Sequence, residues 1–148
     1  MYLFSGDDVS TLRIYEIINK YFGENYSGWM KAWYDINSEF AAWFPTITLT
    51  DERPNGVFGG THNCSNTLSN DKKTICEIDH NIENPIYEEI DDKYQKKRLV
   101  FARIDGKFDF LGIFERKIII CDGKRINLHM QIADGIDLET FNLFKRLS

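Results

Sequence analysis

The chain has 148 residues, 43% of them hydrophobic and 14% aromatic, a size that suits one domain with one substantial core. Its 18 basic and 23 acidic side chains leave a formal charge of −5, which excludes the broad basic field needed for non-specific binding to a nucleic-acid backbone. Neither a membrane span nor a leader pattern is read in it, and three cysteines without framework spacing predict a reducing, cytoplasmic setting.

In chain order, Tyr2 to Phe4 predicts a short apolar strand, and Ser5-Gly6-Asp7-Asp8 has the form of a helix start, with carboxylates suited to the dipole. Val9, Leu12, Ile14, Ile17, Ile18 and Tyr21 make one apolar stripe, so a helix over 8–22 should lie on a sheet and stop at Gly23. Trp29 to Phe44 predicts a hairpin with Asn37-Ser38 at its tip, and Pro45 limits pairing beyond it. Trp29, Lys31, Trp33 and Asp35 share one face of that hairpin, and Met30, Ala32, Tyr34 and Ile36 the other. The signal weakens from Thr46 to Asn81. There, 51–56 and 59–70 are rich in turn formers and read as loops, and Lys73 to Asp79 reads as a short strand. Asn84-Pro85 opens a predicted helix over 85–96, with acidic residues early and lysines late. A last helix over 138–146, capped by Asp137, should dock Leu138, Phe141, Phe144 and Leu147 on the core.

The centre of the fold lies between Arg98 and Ile132, where two hairpins follow one another, turned at Asp105-Gly106 and Asp122-Gly123. Such pairs suit the type I′ turn, which needs positive φ at both central residues. A two-residue turn at 105–106 sets Arg103 opposite Phe108, Phe101 opposite Phe110 and Leu99 opposite Gly112. Both faces of this hairpin are then apolar, so it should be central and covered on both sides. In the second hairpin, Ile126, Leu128, Met130 and Ile132 alternate with Asn127, His129 and Gln131. Simple pairing puts Glu115 and Lys117 on the apolar face, which predicts a β-bulge near Arg116 to turn them away.

The sequence offers three kinds of candidate site. His62, Cys64, Cys76 and His80 supply the donors of a tetrahedral zinc site, but His-x-Cys departs from finger spacing. The expectation is therefore no cofactor, with zinc on these four as the alternative. No phosphate loop, kinase signature, dinucleotide fingerprint or framed nucleophile–base pair occurs, so no catalytic residue is assigned. The better lead is the central sheet. Phe108 and Phe110 share a face with Arg103, and simple pairing adds Arg116, Asn127, His129 and Gln131. Rings beside guanidinium and amide groups are what a reader of single strands or flipped bases uses. A packed aromatic core under amphipathic helices is the competing reading.

RLVFARIDGKFDFLGIFER, from Arg98 to Arg116, resembles the C-terminal module that recurs in bacterial restriction, helicase and HNH-type proteins. GENYSGWMKAWYDI, the WFP at Trp43 to Pro45, and NTLSNDKKTI from Asn66 to Ile75 are similar in kind. The resemblance implies a small PUA-like or SRA-like β-barrel that reads nucleic acid or a modified base. The acidic balance departs from that pattern and speaks against strong free-standing DNA affinity.

The fold class expected is α+β over a single domain, 1–148: a curved, mainly antiparallel sheet or open PUA-like barrel of five to seven strands with flanking helices. The function expected is a non-catalytic module that binds DNA or RNA, as a modified-base or flipped-base reader of a bacterial or phage defence-related system. One alternative is an acidic interaction or inhibitor protein that engages a basic protein partner; a second is a small hydrolase. A basic concave patch would favour nucleic acid, and continuous acid a protein.

Overall fold

The computed structural model describes residues 1–29, 31–47, 64–79, 95–121 and 124–146. At the first of the two central turns, φ is +50° at Asp105 and +77° at Gly106, the signs that a type I′ turn requires. The turn joins β6 (Lys97–Ile104) to β7 (Lys107–Cys121), and β7 pairs in turn with β8 (Lys124–Ala133). Residues 122 and 123 of the second turn lie outside the described residues. Around this centre stand β2 (Trp33–Asp35), β3 (Phe40–Trp43), β4 (Cys64–Leu68) and β5 (Thr74–Asp79). The seven strands form one open sheet in the order β2-β3-β6-β7-β8-β5-β4, with β3 and β6 parallel and the other pairs antiparallel. A second sheet joins β1 (Tyr2–Phe4), β9 (Gly135–Asp137) and β10 (Leu143–Phe144) in the order β1-β9-β10.

Two bulges decide which side chains face which way. Arg103 pairs with Phe108 and Phe101 with Phe110 as the turn dictates, but Val100 pairs with Gly112 and Leu99 with Ile113. Leu111 is thus an extra residue in β7, and Leu99 does not meet Gly112. Gly112 takes φ +108°, and the Gln131 side-chain amide donates to the Leu111 carbonyl at 2.8 Å. A one-residue slip exchanges the two faces of a strand from that point on. The second bulge falls between Ile113 and Phe114 in their pairing with β8, where Ile132 is the extra residue. The bulge predicted near Arg116 is absent: Glu115, Arg116 and Lys117 pair in unbroken register with Met130, His129 and Leu128. Glu115 and Lys117 are exposed beside an exposed Met130, so their charges need no rescue. It is the Asn127 and His129 face that turns inward.

One face of the large sheet is the main core. Leu99, Phe101, Phe110 and Ile113 have no exposed surface and pack with Phe40, Ile17, Ile18 and Ile136. The Phe101 ring stacks on Phe44 at 5.3 Å and tilts against Phe110 at 4.9 Å; burial of each such ring contributes roughly 1.5–3 kcal/mol. The covering helix α1 (Ile14–Phe22) is shorter than predicted. Asp7 accepts from the Phe4 amide and Asp8 from the Ser10 amide, so both carboxylates build turns before the helix. Glu16 accepts from the Arg13 amide, and Gly23 ends the helix at φ +70°.

Two further expectations change, and a third is not tested. Residues 138–146 are no helix. Asp137 does cap a turn, accepting from Glu139 and Thr140, but Phe141 at φ +60° ends it after one turn and sends the chain into β10. The segment 59–70, read as loop, contains β4, which lacks apolar alternation and is held by its pairing with β5. The predicted helix over 85–96 lies outside the described residues apart from its last two. Among the described residues, no helix is long and apolar enough to cross a membrane.

Candidate functional site

The opposite face of the same sheet is apolar at one end and polar in the middle. Val100, Ala102, Leu111, Phe114 and Ile75 form the apolar part. Beyond them, Arg98 on β6, Arg116 on β7, His129 on β8 and Glu77 on β5 line a cavity of about 390 Å3, walled by Trp33, Trp43, Ala32 and Lys31. The register explains the assembly: Arg116 pairs with His129, Glu77 with Asn127, and Trp33 with Trp43, and residues directly opposite in a pair share a face. The bulge at Leu111 brings Phe114 and Arg116 to this side.

The aromatic walls are fixed in place. Trp43 packs on the His129 imidazole with ring centres 4.3 Å apart. The Arg98 guanidinium lies 4.9 Å from the centre of the Trp33 ring and donates to the Lys96 carbonyl at 2.7 Å. The Trp33 indole N–H donates to Asp35 at 3.0 Å, and Lys96 pairs with the same carboxylate oxygen at 3.1 Å.

The polar centre is deeply buried, with His129 1% and Arg98 2% exposed. Oε1 of Glu77 accepts from the Asn127 amide at 2.9 Å and lies 3.3 Å from Nε2 of His129. Burial pushes the His129 imidazole below its ordinary value; the Glu77 contact opposes this, and the charges of Arg98 and Arg116 add to it. Burial alone would raise the Glu77 carboxyl, but its hydrogen bonds with His129 and Asn127, with the charge of Arg98, hold it below the usual range. Burial also lowers Arg98 to about 10, with Arg116 adding to the shift; it stays charged at neutral pH. The site therefore combines an ionised carboxylate, two guanidinium groups and a neutral imidazole beside two indoles.

The structure divides the residues singled out from sequence. Arg116, His129 and Asn127 come together here. Gln131 fastens the bulge. Phe108 and Phe110 are buried in the main core at 7% and 0% exposure, so they form no open stacking surface. Arg103 is exposed, with its guanidinium 5.5 Å from the Phe108 ring centre, and the bulge places it on the opposite face from Arg116. Trp33, Trp43, Glu77 and Arg98 were not singled out; the shared face of Trp33 with Lys31 was the signal available for them. Of the four zinc donors, His62 and His80 lie outside the described residues, and only the Cys76 side chain is placed, half-buried on β5.

A model of the SET and RING associated (SRA) domain matches residues 1–138. Among solved structures, the 5-hydroxymethylcytosine-specific restriction enzyme AbaSI is similar, with a TM-score of 0.59 and 18% identity over 99% of this chain and 44% of that one. At that identity the likeness is one of fold, and the chain spans less than half of that enzyme's length. No curated protein sequence matches the chain.

Proposed function

Because the chain belongs to the SRA domain family, we propose that it is a non-catalytic DNA-binding module that reads a modified cytosine, swung out of the duplex into the Trp33–Trp43 pocket. The AbaSI fold is that of an enzyme specific for 5-hydroxymethylcytosine, which supports a cytosine carrying a 5-substituent as the ligand class. The observation that carries the reading is a buried polar centre beside two indoles in one cavity. Flipped bases are held by stacking on such rings and by hydrogen bonds to their Watson–Crick edge. Arg98 and Arg116 suit the cytosine carbonyl and ring nitrogen.

The surroundings favour nucleic acid over a basic protein partner. Lys31, Arg98 and Arg116 make the cavity locally basic on a chain of net charge −5, and an adjoining cleft shares Arg116 with Lys96 and Lys97. Phosphates that flank an extruded base would meet these cations. Titration of labelled duplexes carrying one cytosine, 5-methylcytosine or 5-hydroxymethylcytosine tests the reading. The modified duplexes should bind more tightly, and Trp43→Ala should lose roughly 1–3 kcal/mol of that affinity, the usual cost of a stacking ring. Equal affinity for all three duplexes would refute it.

A further inference from the structure

One side chain that lines the pocket carries a buried atom with no use within the fold. A carboxylate only accepts hydrogen bonds, so Nε2 of His129, 3.3 Å from Oε1 of Glu77, carries the proton of the neutral ring. The Asn127 amide donates to the same oxygen at 2.9 Å and fixes the carboxylate. Nδ1 is then a bare lone pair. It is buried, has no hydrogen-bond partner among the described residues, and belongs to a side chain that lines the cavity. Native structures seldom leave a buried acceptor unpaired without a functional reason.

We infer that His129 sets specificity: its Nδ1 accepts a hydrogen bond from a donor on the extruded base, and Glu77 and Asn127 are positioning residues that hold the tautomer presenting this lone pair. The assignment rests on the pocket being a base-binding site. The donor is an N–H or O–H group, and a modified cytosine offers two sources, its exocyclic amine and a hydroxyl on its 5-substituent. A base without a donor at that point leaves Nδ1 unsatisfied and binds less well. A second proton on the ring turns Nδ1 from acceptor to donor and abolishes the preference. Burial opposes that proton, the charges of Arg98 from β6 and Arg116 from β7 add to this, and Glu77 from β5 favours it; Lys31, ahead of β2, lines the same cavity. At neutral pH the acceptor form prevails.

Four duplexes separate the sources: one residue is thymine, 5-hydroxymethyluracil, 5-methylcytosine or 5-hydroxymethylcytosine, each opposite its complement. The two cytosines carry the amine, and the two hydroxymethyl bases carry the hydroxyl. Wild-type protein should prefer the bases bearing one of these donors by about tenfold, the weight of one buried hydrogen bond. His129→Phe keeps a ring against Trp43, and should erase that preference while still binding the base that lacks both the amine and the hydroxyl. In wild type the preference should fade as acid protonates the imidazole. Glu77→Gln removes the charge that favours this proton, so its midpoint should move to lower pH. Nitrogen-15 NMR of the wild-type imidazole, which requires no variant to fold, should show Nε2 protonated, Nδ1 bare, and Nδ1 shifted by the preferred duplex. An Nδ1–H tautomer, or a donor preference that survives in His129→Phe, would overturn the assignment while leaving the base-reading function standing. Failure of the wild type to bind any of the four would overturn both.

Discussion

At Gly112 a single added methyl group should meet both backbone strain and a backbone clash. Its φ is +108°, and a Cβ built there would stand 2.6 Å from the Ala133 carbonyl oxygen and 2.9 Å from Nε2 of Gln131. The dihedral alone costs an L-residue about 1–3 kcal/mol. The carbonyl cannot retreat freely, because Ala133 pairs with Ile113 at the second bulge. Together these give roughly 2–4 kcal/mol for Gly112→Ala, or a melting temperature lowered by about 5–15 °C in a domain of this size. Gly106→Ala is the control: it shares a positive φ, +77°, but its Cβ would meet nothing within 4 Å, so it should cost only about 1 kcal/mol. Thermal melts of both variants at one pH make the comparison. Equal losses, or a smaller loss at Gly112, would refute the claim that close packing of the bulge holds β7 in register. Because the bulge also carries Arg116 into the pocket, Gly112→Ala should weaken binding of a modified duplex more than Gly106→Ala does.

Other variants separate the two faces of the sheet. Arg116→Ala should weaken binding of a modified duplex and reduce its salt dependence, whereas Arg103→Ala, on the far side, should leave the preference for modified over unmodified DNA unchanged; both are read by titration at two salt concentrations. Gln131→Leu strips the Leu111 carbonyl of its donor and should cost about 1–3 kcal/mol in chemical denaturation. Acid should destabilise the fold in two stages. The His129 imidazole is held below its ordinary value of 6.5 in the folded state, so the unfolded chain takes up that proton first and stability falls as pH drops through this value. Glu77, held below 4.5, adds a further loss as pH falls through that range, and a flat pH profile of urea midpoints would contradict both. Elemental analysis for zinc, with melting in chelator, checks the His62, Cys64, Cys76 and His80 quartet: the expected outcome is no bound metal and no change.

The strands of the centre were legible because their alternation and Asp-Gly turns are local signals. So was the shared face of Trp33 and Asp35. Orientation beyond residue 110 was not legible, because it depends on one extra residue at Leu111 that only tertiary packing selects. That single insertion separates Arg103 from Arg116. Phe108 and Phe110 precede that insertion and keep the face of Phe101, where they are buried in the main core, as the competing reading of a packed aromatic core had it. The inward turn of Asn127 and His129 ran against the rule that the apolar face of a strand is buried. It is stable because Glu77 and Arg98 arrive from strands distant in sequence. β4 was missed because Cys64 to Leu68 carries no apolar alternation, and the short helix start was overread because Asp7 and Asp8 serve turns equally well.

Extrusion of the base is the central claim, and fluorescence of 2-aminopurine placed beside the modified cytosine tests it most directly. Stacking quenches this probe, so removal of its neighbour from the helix brightens it. The expected result is a saturable rise when the protein is added to the modified duplex, a much smaller rise with the unmodified one, and loss of the rise in Trp43→Ala. Tight binding of the modified duplex with no change in fluorescence would show that the base stays in the stack, and would contradict the assignment of the Trp33–Trp43 cavity as its pocket.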